Sequence, residues 1–491
     1  MLPERRGRPA PTGKAGKEVP PPRRRERRDR EGCLLTEVPF APALREHLGV
    51  PPTGSRPLRL AIIGGGSAYT PGLVEGLLRL EARLPVGRLA LMDVDEAKLQ
   101  TVGGLVGRRL QASGHGMELL LTTCRREALE GADFVLCQIR VGGLAGRSLD
   151  EKVALRHRVI GQETTGPGGF AMGLRTIPVM LEVAADAARY APGAWIINYS
   201  NPTGLVANAL YRSGYERVLS LCDIPMAMQQ GLATLLDIPR REIFLDYAGL
   251  NHLACATRVM CRGKDLLPSL TALARSVVAS GAKLPVSLAD QREEKEFGHI
   301  LQLMATTGLY CSPYLHYYLH GAEVLDEMLA SPTTRADEVM ALERELLEAF
   351  SGSATGEDLS RHRGYDWHAD AMMEVVAAMA GHEGGLHVVN VPNRGNLPSV
   401  PLAHMVEVNA VVDQSGAHPL QAPALPPLMR GLVSAVAAYE ELAVEAALEG
   451  SYHKACLALT AHPLVPSANI ARRLCDDYLA AHRDFLPQFR R

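Results

Sequence analysis

Cys222 and His252 are the pair of side chains that sets the chemical question. A thiolate and an imidazole carried on different elements can jointly hold a divalent metal, leaving positions for substrate hydroxyls and water. Cys222 follows the apolar run Val218–Leu221 and precedes Asp223-Ile224-Pro225; taken alone, it reads as a small buried hydrophobe. His252 lies in Ala248-Gly249-Leu250-Asn251-His252-Leu253, in a stretch of strand character that continues to Val259. Tyr314 belongs to Ser312-Pro313-Tyr314-Leu315-His316-Tyr317-Tyr318, too aromatic and polar for a core. Such a cluster suits stacking on a sugar or on a neighbouring subunit. Arg335 opens the helical pattern Thr334 to Phe350 against the macrodipole preference, which points to a ligand oxyanion.

A second chemistry sits at the start of the fold. Leu58-Arg59-Leu60-Ala61-Ile62-Ile63 has the apolar character of a buried parallel strand, and it runs into Gly64-Gly65-Gly66-Ser67-Ala68-Tyr69-Thr70-Pro71-Gly72 and then a helical pattern. Glycines there permit a tight turn and close backbone approach, and the helix N-terminus offers amides to a pyrophosphate. Tyr69 stands where a full GxGxxG has its third glycine. A second strand, Arg88–Met92, ends at Asp93, placed to accept hydrogen bonds from an adenosine ribose and so to favour NAD over NADP. Gly64, Gly66, Ser67 and Asp93 are the expected cofactor-binding residues.

The elements that must position these groups alternate. Strands are expected at 132–138, 194–199 and 218–221, and helices near 95–111, 168–190 and 203–213. That alternation predicts an α/β fold, a Rossmann-like doubly wound parallel sheet with ligands at the carboxyl ends of its strands. Arg140, Asn201 and Cys222-Asp223 then share one rim. Asn201 has the competing reading of a helix N-cap. The glycine-rich Gly161–Gly169 is a further loop able to wrap polar ligand groups.

The chain has 491 residues, 52 Lys+Arg against 54 Asp+Glu, and 47% hydrophobic residues. Its length asks for two domains or one two-lobed unit. Near-neutral charge argues against a protein built around a polyanion, and no apolar run is long enough for a membrane helix. Nine cysteines without CxxC spacing read as reduced thiols in a cytoplasmic protein. The first 31 residues carry 11 basic and five acidic side chains with almost no aliphatics, which predicts a disordered tail.

Together these residues resemble glycoside hydrolase family 4, the NAD-dependent glycosidases, from about Leu58 to Pro487. The resemblance rests on GGGSAYTPG at 64–72, IRVGG at 139–143, GQETTGPGG at 161–169, NYSNP at 198–202, CDIP at 222–225, GLNHL at 249–253 and SPYLHYY at 312–318. It implies a redox route to hydrolysis, in which NAD+ takes a hydride from C3 of the sugar and acidifies the C2 proton. A tyrosine removes that proton, a divalent metal, usually manganese, stabilises the enediolate, the glycosidic oxygen leaves, water adds and the hydride returns. By resemblance, Cys222 and His252 match the metal ligands, Tyr314 the base and Asp223 the acid. Arg140, Asn201 and Arg335 match substrate contacts.

Within the family, Asp223 is an α-glucosidase-like feature. IRVGG, GLRTIPV at 173–179 and the stretch Val388 to Pro419 look more like the 6-phospho-β-glucosidase branch, which is favoured. Arg363-Gly364-Tyr365-Asp366-Trp367 departs from that branch's RGGAYY. The expected organisation is a tail and linker at 1–57, an NAD-binding domain at 58–225 and a C-terminal metal, substrate and oligomerisation domain at 226–491. That arrangement is lactate/malate dehydrogenase-like. The expected substrate is a phosphorylated disaccharide or aryl glucoside, in a homodimer or homotetramer with no membrane or nucleic-acid partner. Long helical stretches at 426–448 and 451–461 are candidates to pack between subunits. Three alternatives stand beside this reading: a 6-phospho-α-glucosidase or other family 4 glycosidase, a plain dehydrogenase, and an NAD-binding regulatory protein without catalysis.

Overall fold

The computed structural model describes residues 56–281, 291–352, 365–381 and 383–490. The basic tail and positions 363 and 364 of the 363–367 departure fall outside the described residues. Residues 57–491 form one compact unit.

Six parallel strands begin it: β1 (Leu58–Ile63), β2 (Val86–Met92), β3 (Glu118–Thr122), β4 (Phe134–Cys137), β5 (Trp195–Asn198) and β6 (Val218–Ser220). Their spatial order, β3-β2-β1-β4-β5-β6, is that of the Rossmann fold, as expected. The apolar character of β1 has a direct cause: Leu60 to Ile63 are at most 3% exposed, because helices cover both faces of the sheet. β3 has ordinary composition and was not among the expected strands.

The sheet does not stop at β6. Asn390 of β11 (Gly385–Pro392) pairs antiparallel with Ser220, and β12 (Met405–Asp413), β7 (Ile243–Leu250), β8 (Leu253–Cys261) and β10 (Tyr310–Cys311) follow in that order. Parallel strands therefore lead into an antiparallel half without a break in hydrogen bonding.

The helices match their sequence signals. Glu96–Ser113 is capped by Asp95, whose side chain accepts from Lys98 N, and stops at Gly114 in the left-handed region. Pro167–Tyr190 opens with proline in its first turn. Pro427–Glu449 and Tyr452–Ala461 bury Met429, Val433, Val444 and Leu459 fully inside the chain, while Leu428, Leu448, Tyr452 and Leu457 are exposed. No helix among the described residues is long and apolar enough to cross a membrane.

Candidate active site

Every rim residue follows a strand end. Gly64 comes directly after β1, Asp93 after β2, Arg140 after β4, Asn201 after β5 and Cys222 after β6. Parallel strands deliver these loops to one edge of the sheet, and that shared edge is the candidate site.

The cradle after β1 is built by backbone. Gly64 has φ +92, and a Cβ there would meet the Gln138 carbonyl oxygen at 2.7 Å; on Gly65 it would meet Leu91 Cβ at 2.8 Å. Gly66 N donates to Asp93 Oδ2 at 2.8 Å, and Asp95 N donates to Oδ1 at 3.0 Å, so the carboxylate is fixed beside the loop. Ser67 N donates to Gly64 O, closing the turn, and Ser67 Oγ accepts from Tyr69 N at 3.2 Å. The helix Thr70–Arg79 then starts without a side-chain cap. These are the features an adenosine pyrophosphate needs.

The second cluster joins β6 to β7 and β8. His252 is not inside a strand, as its neighbours suggested. Leu250 pairs with Leu253, so Asn251 and His252 form the two-residue turn of the β7–β8 hairpin, and His252 has φ +63. A non-glycine residue in that region costs conformational energy and is characteristic of functional sites. Asn251 Nδ2 donates to Glu407 Oε1 at 2.9 Å and anchors the turn. The turn places His252 Nε2 3.2 Å from Cys222 Sγ, and Cys222 Sγ lies 3.5 Å from Asp223 Oδ1. The ring of Tyr314 stacks on that of His252, with centroids 3.8 Å apart and planes 5° off parallel. The tyrosine-rich segment thus faces the imidazole across the site.

Electrostatics follow from burial. Loss of solvent holds the His252 imidazole down to about 4, so it is neutral at ordinary pH. Burial, then Asp223 and Glu407, pushes the Cys222 thiol well above its usual range. Tyr314 is likewise raised by burial and then by Glu163, Cys222 and Asp223. Tyr199 is raised by burial and by Asp223, and it also feels Tyr69, which brings the nucleotide loop beside the second cluster. Glu407 is raised to about 7 by burial, against hydrogen bonds from Asn251, Tyr247 and Asn390.

The third group joins Arg140 to three residues with no role of their own among the sequence expectations, Glu163, Arg147 and Glu151. Glu163 Oε2 lies 2.6 Å from Arg140 Nη2 and 3.0 Å from Arg147 Nη1. Burial alone would raise this carboxyl, but the two guanidiniums hold it down to about 2. Arg147 also pairs with Glu151 at 2.7 Å, whose Oε2 accepts from Ala336 N at 2.8 Å. The helix Arg335–Ser351 is fastened to the site through that bond. Arg335 itself points to Glu338 at 2.7 Å and is more than a third exposed, so it is not drawn into the cluster. Asn201 does not act as a cap: the N-cap of Thr203–Arg212 is Pro202, and Asn201 Oδ1 accepts from Thr203 Oγ1 at 3.1 Å. Its loop is tied to that of Arg140 by Ile139 N donating to Ser200 Oγ at 2.9 Å. One available signal for the missed group was a pair of opposite charges at i and i+4, Arg147 and Glu151, on an otherwise buried helix face.

The model of the family 4 glycosyl hydrolases matches residues 59–238, and that of the family's C-terminal domain matches residues 247–465. A probable 6-phospho-beta-glucosidase of Bacillus subtilis is 38% identical over 444 residues, spanning 88% of this chain and 98% of that protein. A 6-phospho-alpha-glucosidase from gut microorganisms, solved with NAD and glucose-6-phosphate, superposes with a TM-score of 0.80 at 31% identity, covering 88% of this chain and all of that one. The 6-phospho-beta glucosidase of Thermotoga maritima, solved with manganese, NAD+ and glucose-6-phosphate, gives 0.76 at 30% identity, covering 87% and 99%. With the two models together matching most of the fold, the chain belongs to the family 4 glycosyl hydrolases.

Proposed function

We propose that this protein hydrolyses the O-glycosidic bond of 6-phospho-glucosides, the β anomer favoured, using NAD+ and a divalent metal. The observation that carries the reading is the convergence of Cys222, His252 and Tyr314, from three separate elements, beside a dinucleotide cradle. The residues present fit both groups. A Cβ would fill the cradle at Gly64 and Gly65, and a thiol with a neutral imidazole gives two donors for a first-row divalent metal, the oxygen ligands that Mn2+ prefers coming from sugar hydroxyls and water. Relatives named for each anomer resemble this chain. The 38% identity to the β-named Bacillus protein and the β-like stretch Val388 to Pro419 support the β assignment, with Asp223 the α-like exception.

When bound, NAD+ supplies a reversible hydride acceptor at sugar C3, and the metal supplies positive charge that favours ionised Cys222 and Tyr314 and stabilises the deprotonated sugar. The protein's own side chains do the rest. Tyr314 takes the C2 proton, which is acidic only while C3 is a ketone. Asp223, beside Tyr199, protonates the departing glycosidic oxygen. Arg140 and Asn201, on tied loops, hold the sugar; Arg335, paired with Glu338 in this structure, is the third substrate contact that the family resemblance implies. Gly64, Gly66, Ser67 and Asp93 hold the nucleotide. In this division residues 58–225 bind NAD, and 226–491 complete the metal and sugar site.

The test is release of p-nitrophenol from α and β 6-phosphoglucosides, with and without NAD+ and Mn2+, under reducing conditions. Turnover of the β substrate that needs both additions supports the reading. Turnover without NAD+ overturns it.

A further inference from the structure

We propose that Thr164, itself held by Gln162, is a positioning residue that keeps His252 protonated on Nδ1 and so leaves its Nε2 lone pair for the metal. This rests on the reading of Cys222 and His252 as metal ligands.

Gln162 Oε1 accepts from Thr164 N at 2.7 Å and from Thr165 N at 2.5 Å. Two backbone N–H groups fix which end of the amide is oxygen, because the NH2 end cannot accept. Thr164 Oγ1 lies 3.0 Å from that same oxygen. A carbonyl oxygen has no proton to give, so the hydrogen bond across this contact uses the single hydroxyl proton of Thr164, as the third bond to an oxygen that also accepts two backbone N–H groups. Thr164 Oγ1 also lies 2.8 Å from His252 Nδ1. With its proton committed, the hydroxyl meets Nδ1 with a lone pair, and Nδ1 must carry the hydrogen. A neutral imidazole has only one N–H. Nε2 is therefore bare, and it faces Cys222 Sγ at 3.2 Å.

The opposite tautomer would put a hydrogen on Nε2, into the space between imidazole and sulfur. A metal would then have to compete with that proton for the lone pair. Outer partners that orient a ligand histidine in this way typically contribute about 10–100-fold to metal affinity. The strained backbone of His252 adds to the case, since the turn fixes where the ring begins and Thr164 fixes which way it is used.

The choice of variant matters because a small polar cavity adjoins the relay. It is about 20 Å³, lined in part by Thr164, Asn251, His252, Tyr439 and Glu440, which is enough for about one water. Thr164→Ala would extend that cavity and let water replace the hydroxyl. Thr164→Val keeps the volume and removes only the hydroxyl, while Gln162 Oε1 retains its two backbone donors. Thr164→Ser restores the hydroxyl.

Two readouts on purified full-length protein test the proposal. In metal-free protein labelled with 15N-histidine, His252 is expected as the Nδ1–H form in the wild type and in Thr164→Ser, and as a mixture in Thr164→Val. Mn2+ affinity, read from the free-ion EPR signal, is expected to fall about 10–100-fold in Thr164→Val and to recover in Thr164→Ser. Thermal unfolding identifies any variant that has lost its fold. An Nε2–H form in the wild type, or undiminished Mn2+ affinity in a folded Thr164→Val, overturns the proposal. Failure of the wild type to bind Mn2+ or Co2+ overturns the metal reading instead, and the metal-free tautomer still decides the role of Thr164.

Discussion

Glu163→Gln is the perturbation whose size the structure defines most closely. The carboxylate is 13% exposed and sits against Arg140 and Arg147. Burial opposes its charge, yet the two guanidiniums lower it from 4.5 to about 2. At 1.36 kcal/mol per unit, that shift corresponds to about 3 kcal/mol of native-state stability. A folded-state value below the unfolded one makes the contribution fully present above pH 4.5 and lost as pH falls through about 2. Glutamine keeps the shape and removes the charge, leaving Arg140 beside Arg147 with no carboxylate between them. The variant is expected to be about 3 kcal/mol less stable in urea at pH 7, with the difference shrinking to about 1.4 kcal/mol at pH 3. Equilibrium urea unfolding of both proteins at the two pH values measures this. A difference under about 1 kcal/mol at pH 7, or one of constant size down to pH 3, refutes the reasoning.

Three further outcomes are expected. Glu407, raised to about 7 by burial, contributes stability that is full below pH 4.5 and lost as pH rises through about 7. Between pH 5 and 8 the wild type should lose about 2.5 kcal/mol relative to Glu407→Gln, read from parallel urea titrations. Cys222→Ser should abolish the thiolate-to-cobalt charge-transfer band in Co2+-loaded protein and most Mn2+-dependent turnover; an intact band would remove Cys222 from the ligand set. Gly66→Ala places a Cβ 3.0 Å from Asp93 Oδ2 and should weaken NAD+ affinity about tenfold, measured by calorimetry.

How much of this was readable in the residues depended on how local each signal was. The strands ending at Ile63, Met92 and Cys137, and the loops after them, announce themselves through short apolar runs followed by glycine or turn residues, and the rim could be assembled from those signals alone. His252 was placed in the right neighbourhood but in the wrong element. Asn251-His252 lacks the glycine that marks a two-residue hairpin turn, so the strand character on either side reads straight through it. Glu163 was out of reach for a different reason. Its partners Arg140 and Arg147 are 23 and 16 residues away, and nothing in a Gln-Glu-Thr triplet says that the glutamate is buried. The same holds for Thr164, whose partner is 88 residues on, and for the pairing of β11 with β6 across 170 residues. Arg335 was singled out for its unfavourable helix position, but a capping box at Thr334 and the ion pair with Glu338 account for that locally.

The most direct test of the account is turnover of a β 6-phosphoglucoside in D2O with NAD+ and Mn2+, followed by NMR of the released sugar phosphate. Proton removal at C2 by Tyr314 predicts deuterium at C2 in the product, and loss of both turnover and exchange in Tyr314→Phe. Product formed at the normal rate with hydrogen retained at C2 would contradict the elimination mechanism and the role given to Tyr314.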